Sequence, residues 1–177
     1  MKKTIHILLA DDHELIRNGL RQVIEKDENY TIIEADNGDD ALTYIREKEL
    51  DVAILDIEMP GMTGFEVAKK VHKEGISIDI IFLTMFKDES LFNKAMDIGV
   101  KGYVLKDNTV SEIMKCLEKV VHGKHYLSPV ISDFLINRNK KLMESASDKD
   151  GINLLTPAER KAMKLLGTDE NQSGNCR

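Results

Sequence analysis

Over the first 122 residues, short apolar runs rich in β-branched residues alternate with longer amphipathic stretches. Residues 4–10, 30–34, 52–55, 78–83 and 102–105 each read as a strand covered on both faces. Between them the apolar positions repeat at helical spacing. Ile16, Leu20, Val23 and Ile24 fall at i, i+4, i+7 and i+8, and Leu91, Phe92, Ala95 and Met96 cluster in the same way. Val110, Ile113, Met114, Leu117 and Val121 share one face of a further helix, whose start reads as a capping box between Thr109 and Glu112. Two more helices begin near Gly38 and after Gly64. Five strands alternating with five helices predict an α/β fold, a five-stranded parallel sheet with helices on both faces. Such sheets bind ligands at the carboxyl ends of their strands.

After His122 the rhythm changes. Residues 127–136 read as one short helix, and residues 137–150 are polar and charged, as in a linker. Leu155-Thr156-Pro157-Ala158-Glu159 is a sharp helix start, with Thr at the N-cap, Pro at the first helical position and Glu at the third. From Gly167 onward no Ile, Leu, Val, Met or aromatic residue occurs, and the segment reads as a disordered tail. The parts are residues 1–122, a helical and polar linker over 123–150, and a third segment over 151–177.

Composition narrows the class. The chain has 177 residues, 42% hydrophobic and 32% charged, in the range of a globular domain. Eleven Gly and three Pro exclude collagen-like and low-complexity chains. No run of 18 apolar residues occurs, and the apolar start stops at Asp11, so neither a membrane span nor a secretory signal is expected. Two cysteines, Cys116 and Cys176, fit a reducing, cytoplasmic setting. Residues 123–177 carry nine basic and seven acidic groups, net +2, so residues 1–122 carry -8 for the chain's total of -6. An acidic body disfavours general nucleic-acid binding through that body.

Candidate chemistry lies where the strands end. Asp11 and Asp12 follow the first run, Asp56 the third, Thr84 the fourth and Lys106 the fifth. In a parallel sheet these groups share one edge. Clustered carboxylates repel, Lys106 offsets one charge, and a hard divalent cation such as Mg²⁺ suits the oxygen donors that remain. A carboxylate beside a cation, an ammonium and a hydroxyl is suited to phosphoryl transfer.

This set resembles the receiver domain of two-component response regulators. The resemblance covers residues 4–122 and rests on Asp11-Asp12, Leu55-Asp56-Ile57-Glu58-Met59-Pro60-Gly61-Met62-Thr63-Gly64, Leu83-Thr84 and Gly102-Tyr103-Val104-Leu105-Lys106. It implies a flavodoxin-like receiver fold in which Asp56 is the phospho-acceptor. It implies that Asp12 binds Mg²⁺ directly, Asp11 largely through water, with Asp56 and the backbone carbonyl of Glu58 completing the protein ligands. Lys106 would grip the phosphoryl group, Thr84 would move toward it, and Tyr103 would be the rotating switch aromatic. A sensor histidine kinase or a small-molecule phosphodonor would be the partner, with homodimerisation on phosphorylation and no membrane contact.

Leu154-Leu155-Thr156-Pro157-Ala158-Glu159-Arg160 looks like the opening of the LuxR-type helix-turn-helix of the NarL/FixJ subfamily. Only 22 residues remain from Thr156, too few for the whole domain, so this part reads as truncated or altered and no residue is assigned to DNA. The resemblance implies a transcription regulator that is not a turnover enzyme.

Each position also has a plainer reading. Asp56, Asp11 or Asp12 can cap a helix, Lys106 can be a surface lysine, Thr84 a strand Thr, and Tyr103 a core aromatic. Gly61 and Gly64 read as turn residues. His6, His13, His72, His122 and His125 lack metal-ligand spacing. Two other functions compete. One is a receiver whose output is protein binding alone. The other is a haloacid-dehalogenase-like phosphatase, against which Glu58 stands where a second Asp is required.

Overall fold

The computed structural model describes residues 4–153, with side chains through residue 143. The elements run β1 (Ile5–Ala10), α1 (Glu14–Ile24), β2 (Tyr30–Ala35), α2 (Gly38–Glu47), β3 (Val52–Asp56), α3 (Gly64–Lys73), β4 (Asp79–Thr84), α4 (Glu89–Ile98), β5 (Gly102–Leu105), α5 (Thr109–Val121), β6 (Tyr126–Leu127) and α6 (Ser132–Asn153). Single 3-10 turns cover Lys106–Asn108 and Pro129–Ile131. The strands form one parallel sheet in the order β2-β1-β3-β4-β5-β6.

The apolar strands follow from having two covered faces. Successive side chains of a strand point to opposite sides. Leu8, Ala10, Leu55, Phe82 and Tyr103 therefore pack with Ala41, Val67 and Phe92 of α2, α3 and α4. Ile7, Leu9, Ile54, Ile81, Leu83 and Val104 pack with Leu20 of α1 and Ile113, Leu117 and Val120 of α5. Along β3, β4 and β5 neither face is left for water, so the alternation of polar and apolar residues seen in half-exposed strands is absent.

Three expectations are corrected. The sheet has six strands, not five, because Tyr126 and Leu127 pair with Gly102 and Tyr103. Residue 127 thus belongs to a strand, and in place of the short helix expected over 127–136 the helix α6 begins at Ser132 and runs to Asn153. The capping box expected at Thr109 and Glu112 does not form. Thr109 lies inside the helix and its hydroxyl donates to the Leu105 carbonyl at 2.9 Å, while Glu112 accepts from Ser128. A capping box instead opens α3, where Thr63 accepts from the Glu66 N–H and Glu66 accepts from the Thr63 N–H.

The chain divides into two units within α6, Met1–Phe134 and Leu135–Arg177. The whole sheet belongs to the first. The Thr156 helix start and the tail expected beyond it lie outside the described residues. No described helix is long and apolar enough to cross a membrane.

Candidate functional site

Strand order sets the site. β1 has β2 on one side and β3 on the other, so the helices that follow β1 and β3 leave in opposite directions and open a crevice at the strand ends. Ala10 stands opposite Leu55 in the sheet, so Asp11 and Asp56 emerge side by side. Asp56 in turn lies opposite Leu83, and Thr84 opposite Leu105, which brings the root of Lys106 to the same edge.

The backbone after Asp56 is held from two directions. The Ile57 N–H donates to the Leu83 carbonyl at 3.0 Å, and the Gly64 N–H donates to the Ile57 carbonyl at 3.0 Å. Gly61 has φ +72, the left-handed conformation that glycine adopts without strain. Gly64 is not a turn glycine. A Cβ there would lie 2.2 Å from the Asp56 carbonyl oxygen, so its role is to let α3 start against the backbone of the acid.

Four of the sequence-derived residues meet in this crevice. Lys106 Nζ lies 2.6 Å from Asp56 Oδ2 and 2.8 Å from Asp11 Oδ2, with all three side chains buried. Asp56 Oδ1 accepts from the Glu58 N–H at 3.2 Å. Asp12 is exposed beside them. Burial pushes the Asp56 carboxyl up to about 6, helped by the charge of Asp11 and opposed by Lys106 and the Glu58 N–H. Burial also works against the Lys106 ammonium, but its contacts with Asp11 and Asp56 outweigh that and hold its pKa above the ordinary lysine value.

The other positions stand around this centre. The side chain of Glu58 is exposed and does not join the cluster; only its backbone N–H touches Asp56. The Thr84 hydroxyl accepts from the Phe86 N–H at 3.1 Å and is not bonded to Asp56. Tyr103 is buried on β5, edge-on to Phe92 with ring centroids 5.5 Å apart. Its hydroxyl faces Thr84 without a hydrogen bond of full geometry, and burial pushes its pKa up to about 12.

Two neighbours had no signal in the sequence. His13, which has no metal-ligand spacing in the sequence, places Nδ1 2.7 Å from Asp12 Oδ1 and 3.2 Å from Asp11 Oδ1. Arg17 Nη1 donates to the Asp11 carbonyl at 2.6 Å. Both lie at the start of α1, where adjacency to the acids comes from the turn after β1 rather than from any periodic spacing. His13 also occupies the N-cap of α1, and the Asp11 carboxylate accepts its N–H at 2.8 Å.

One ligand atom each from Asp11, Asp12, His13 and Asp56 lie within 4.8 Å of one another, close enough to hold a metal ion. Three carboxylates against one ammonium leave an excess of negative charge in a crevice whose floor, Asp11 and Asp56, is buried and whose rim, Asp12 and His13, is open to water. A compact divalent cation with oxygen preference fits that donor set and charge.

A parallel sheet of this order, carrying paired acids and a lysine on its carboxyl edge, is a flavodoxin-like receiver fold. Residues 7–118 match the response regulator receiver domain family, and the chain belongs to it. It is a response regulator of the NarL/FixJ type. Response regulator UvrY of Escherichia coli K12 is 33% identical over 129 residues, 72% of this chain and 59% of the relative. Transcriptional regulatory protein DesR of Bacillus subtilis 168 is 31% identical over 168 residues, 94% of this chain and 77% of the relative. A solved structure of a LuxR-family DNA-binding response regulator from Staphylococcus aureus superimposes with a TM-score of 0.63 at 37% identity, covering 66% of this chain and 98% of that one. The chain spans about three fifths of the length of UvrY (59%).

Proposed function

We propose that this protein is a phosphorylation-dependent switch that controls transcription, with Asp56 as phospho-acceptor. The observation that carries this reading is the buried contact of Lys106 with Asp56 and Asp11 at the carboxyl edge of the sheet. An Asp56 carboxylate oxygen attacks the phosphorus of a sensor histidine kinase's phosphohistidine or of a small acyl phosphate. The new O–P bond forms as the bond to the leaving group breaks, and the leaving group keeps that electron pair. Lys106 stabilises charge on the transferring oxygens.

Mg²⁺ is the proposed cation, held by Asp11, Asp12 and Asp56 together with the Glu58 carbonyl. When bound, it supplies further charge neutralisation for the phosphoryl group. Thr84 turns from the Phe86 N–H toward the phosphoryl oxygens, and Tyr103 repacks behind it. This is a shift between two conformations of one β4–β5 edge. The altered surface favours homodimerisation; Leu15 on α1 and Val110 on α5 are exposed apolar side chains on neighbouring helices. The similarity to DesR, a transcriptional regulatory protein, and to the LuxR-family DNA-binding response regulator of Staphylococcus aureus supports an output in gene control.

The proposed parts are a receiver over 1–122, a linker over 123–150 and the start of a helix-turn-helix over 151–177. The protein is cytoplasmic and is a target of phosphoryl transfer rather than a turnover enzyme. The test is incubation with Mg²⁺ and acetyl phosphate followed by intact-mass measurement. A single phosphoryl adduct is expected on the wild type and none on Asp56→Asn; an adduct on both, or on neither, defeats the proposal.

A further inference from the structure

The lysine that touches Asp56 is held in place by a residue from beyond the receiver's last helix. β6 pairs with β5 only through Tyr126 and Leu127, and its ladder ends opposite Tyr103. Leu105, the residue before Lys106, lies past that end, so its N–H would face a strand that is no longer there. Ser128 takes over. Its backbone N–H donates to the Tyr103 carbonyl at 3.0 Å, and its Oγ accepts the Leu105 N–H at 3.2 Å. The same Oγ donates to Glu112 Oε2 at 2.5 Å.

On the other side of the residue, in the peptide unit that leads into Lys106, the Thr109 hydroxyl donates to the Leu105 carbonyl at 2.9 Å. Both polar backbone groups of Leu105 are thus bonded to side-chain hydroxyls, and Ser128 and Thr109 are themselves buried. A buried serine whose hydroxyl spends both its donor and an acceptor on fixing one backbone position is a positioning device.

We propose that Ser128 is a positioning residue for Lys106, setting the reach of the ammonium to Asp56 and so the rate at which Asp56 is phosphorylated. This rests on Asp56 being the phospho-acceptor. The chain of contacts is short: Ser128 Oγ to the Leu105 N–H, then one peptide bond to Lys106, then Nζ to Asp56 Oδ2 at 2.6 Å. Without the hydroxyl, the Leu105 N–H and the Glu112 carboxylate both lose a partner. The β5 end is then free to relax toward other acceptors, and the ammonium moves with it. Displacements well below an ångström matter here, because a reacting group misplaced by about 1 Å can cost on the order of 100-fold in rate. A loss of about tenfold is expected.

The experiment uses the full chain with Mg²⁺ and acetyl phosphate, following the Asp56 adduct by intact mass. Wild type, Ser128→Ala and the near-isosteric Ser128→Cys are compared, each alone and in a Lys106→Ala background. Both Ser128 variants are expected to slow adduct formation about tenfold in the Lys106 background and to have no further effect once Lys106 is gone. Val120→Ala, which loosens α5 without touching Leu105, is expected to lower the melting temperature and leave the rate unchanged. Ser128→Cys covers the case in which the alanine variant does not fold.

Failure of the wild type to form an adduct removes the phospho-acceptor reading itself. A normal wild-type adduct with unchanged rates in the folded Ser128 variants overturns the positioning role. So does an equal slowing with and without Lys106, since that marks a structural defect only.

Discussion

Replacing Asp56 with Asn is expected to make the metal-free protein more stable at neutral pH. Burial raises the Asp56 carboxyl from 3.8 to about 6. At about 1.4 kcal/mol per pKa unit, the folded state is disfavoured by about 3 kcal/mol when the group is ionised. The attraction of Lys106 and the repulsion of Asp11 are already contained in that shift. The sign follows from the direction. Below pH 3.8 the carboxyl is protonated in both folded and unfolded chains and nothing is lost. As pH rises toward 6 the unfolded chain ionises freely and the folded one does not, so stability falls and then levels off. Asn occupies the same space without a charge and is spared this loss.

Urea unfolding followed by circular dichroism, in chelator, from pH 3.5 to 7.5, measures the difference between wild type and Asp56→Asn. The curves should coincide near pH 3.5 and separate between pH 4 and 6. At pH 7.5 the variant midpoint should lie about 1.5–2 M higher, for a slope of about 1.5–2 kcal/mol/M. Mg²⁺ should narrow the gap by binding only the folded wild-type cluster. A gap independent of pH, or a variant less stable than wild type at pH 7.5, would refute the account of Asp56 as a carboxylate held ionised against its environment. It would also show that the site is wetter than its burial indicates.

Other substitutions probe separate links. Lys106→Ala removes the only ammonium bonded to Asp11 and Asp56 among the described residues, and should cost about 3–5 kcal/mol at pH 7.5, with the loss shrinking as pH falls and Asp56 protonates. Equilibrium denaturation at two pH values checks this, and a loss that grows on acidification would contradict it. Gly64→Ala would press a Cβ to 2.2 Å from the Asp56 carbonyl oxygen, so it should cost about 1–3 kcal/mol and slow the Asp56 adduct. Gly19→Ala on α1 meets nothing within 4 Å and should instead add about 0.5–1 kcal/mol; the two melting temperatures should move in opposite directions. Burial, with Glu112 nearby, pushes the Cys116 thiol up to about 12, so it should stay silent to a thiol reagent at pH 8 until urea opens the fold. The stability linked to that thiol is present below its ordinary value of 9.0 and is lost as pH rises through about 12.

The acid pocket was legible because its logic is one-dimensional. A buried parallel strand is an apolar run, and the first polar residue after it stands at the carboxyl edge. Asp11, Asp56, Thr84 and Lys106 could therefore be placed at that edge from the sequence, and the contact of Lys106 with Asp11 and Asp56 follows once the strands are parallel and adjacent. Tyr103 could be placed on its strand for the same reason.

What the tertiary structure decided has a different character. β6 has only two residues and exists because β5 offers it an unpaired edge, so no local pattern announces it. The hydroxyl of Thr109 had a capping role open to it at the start of α5, yet a buried carbonyl of Leu105 claims it, and the capping box forms at Thr63 and Glu66 instead. His13 and Arg17 join the acids through the turn after β1, and Ser128 reaches Leu105 across 23 residues. Chain periodicity records which side of an element meets the core. It does not record which distant backbone group is left without a partner, and that need, met only after the strands assemble, assigned these polar side chains their places.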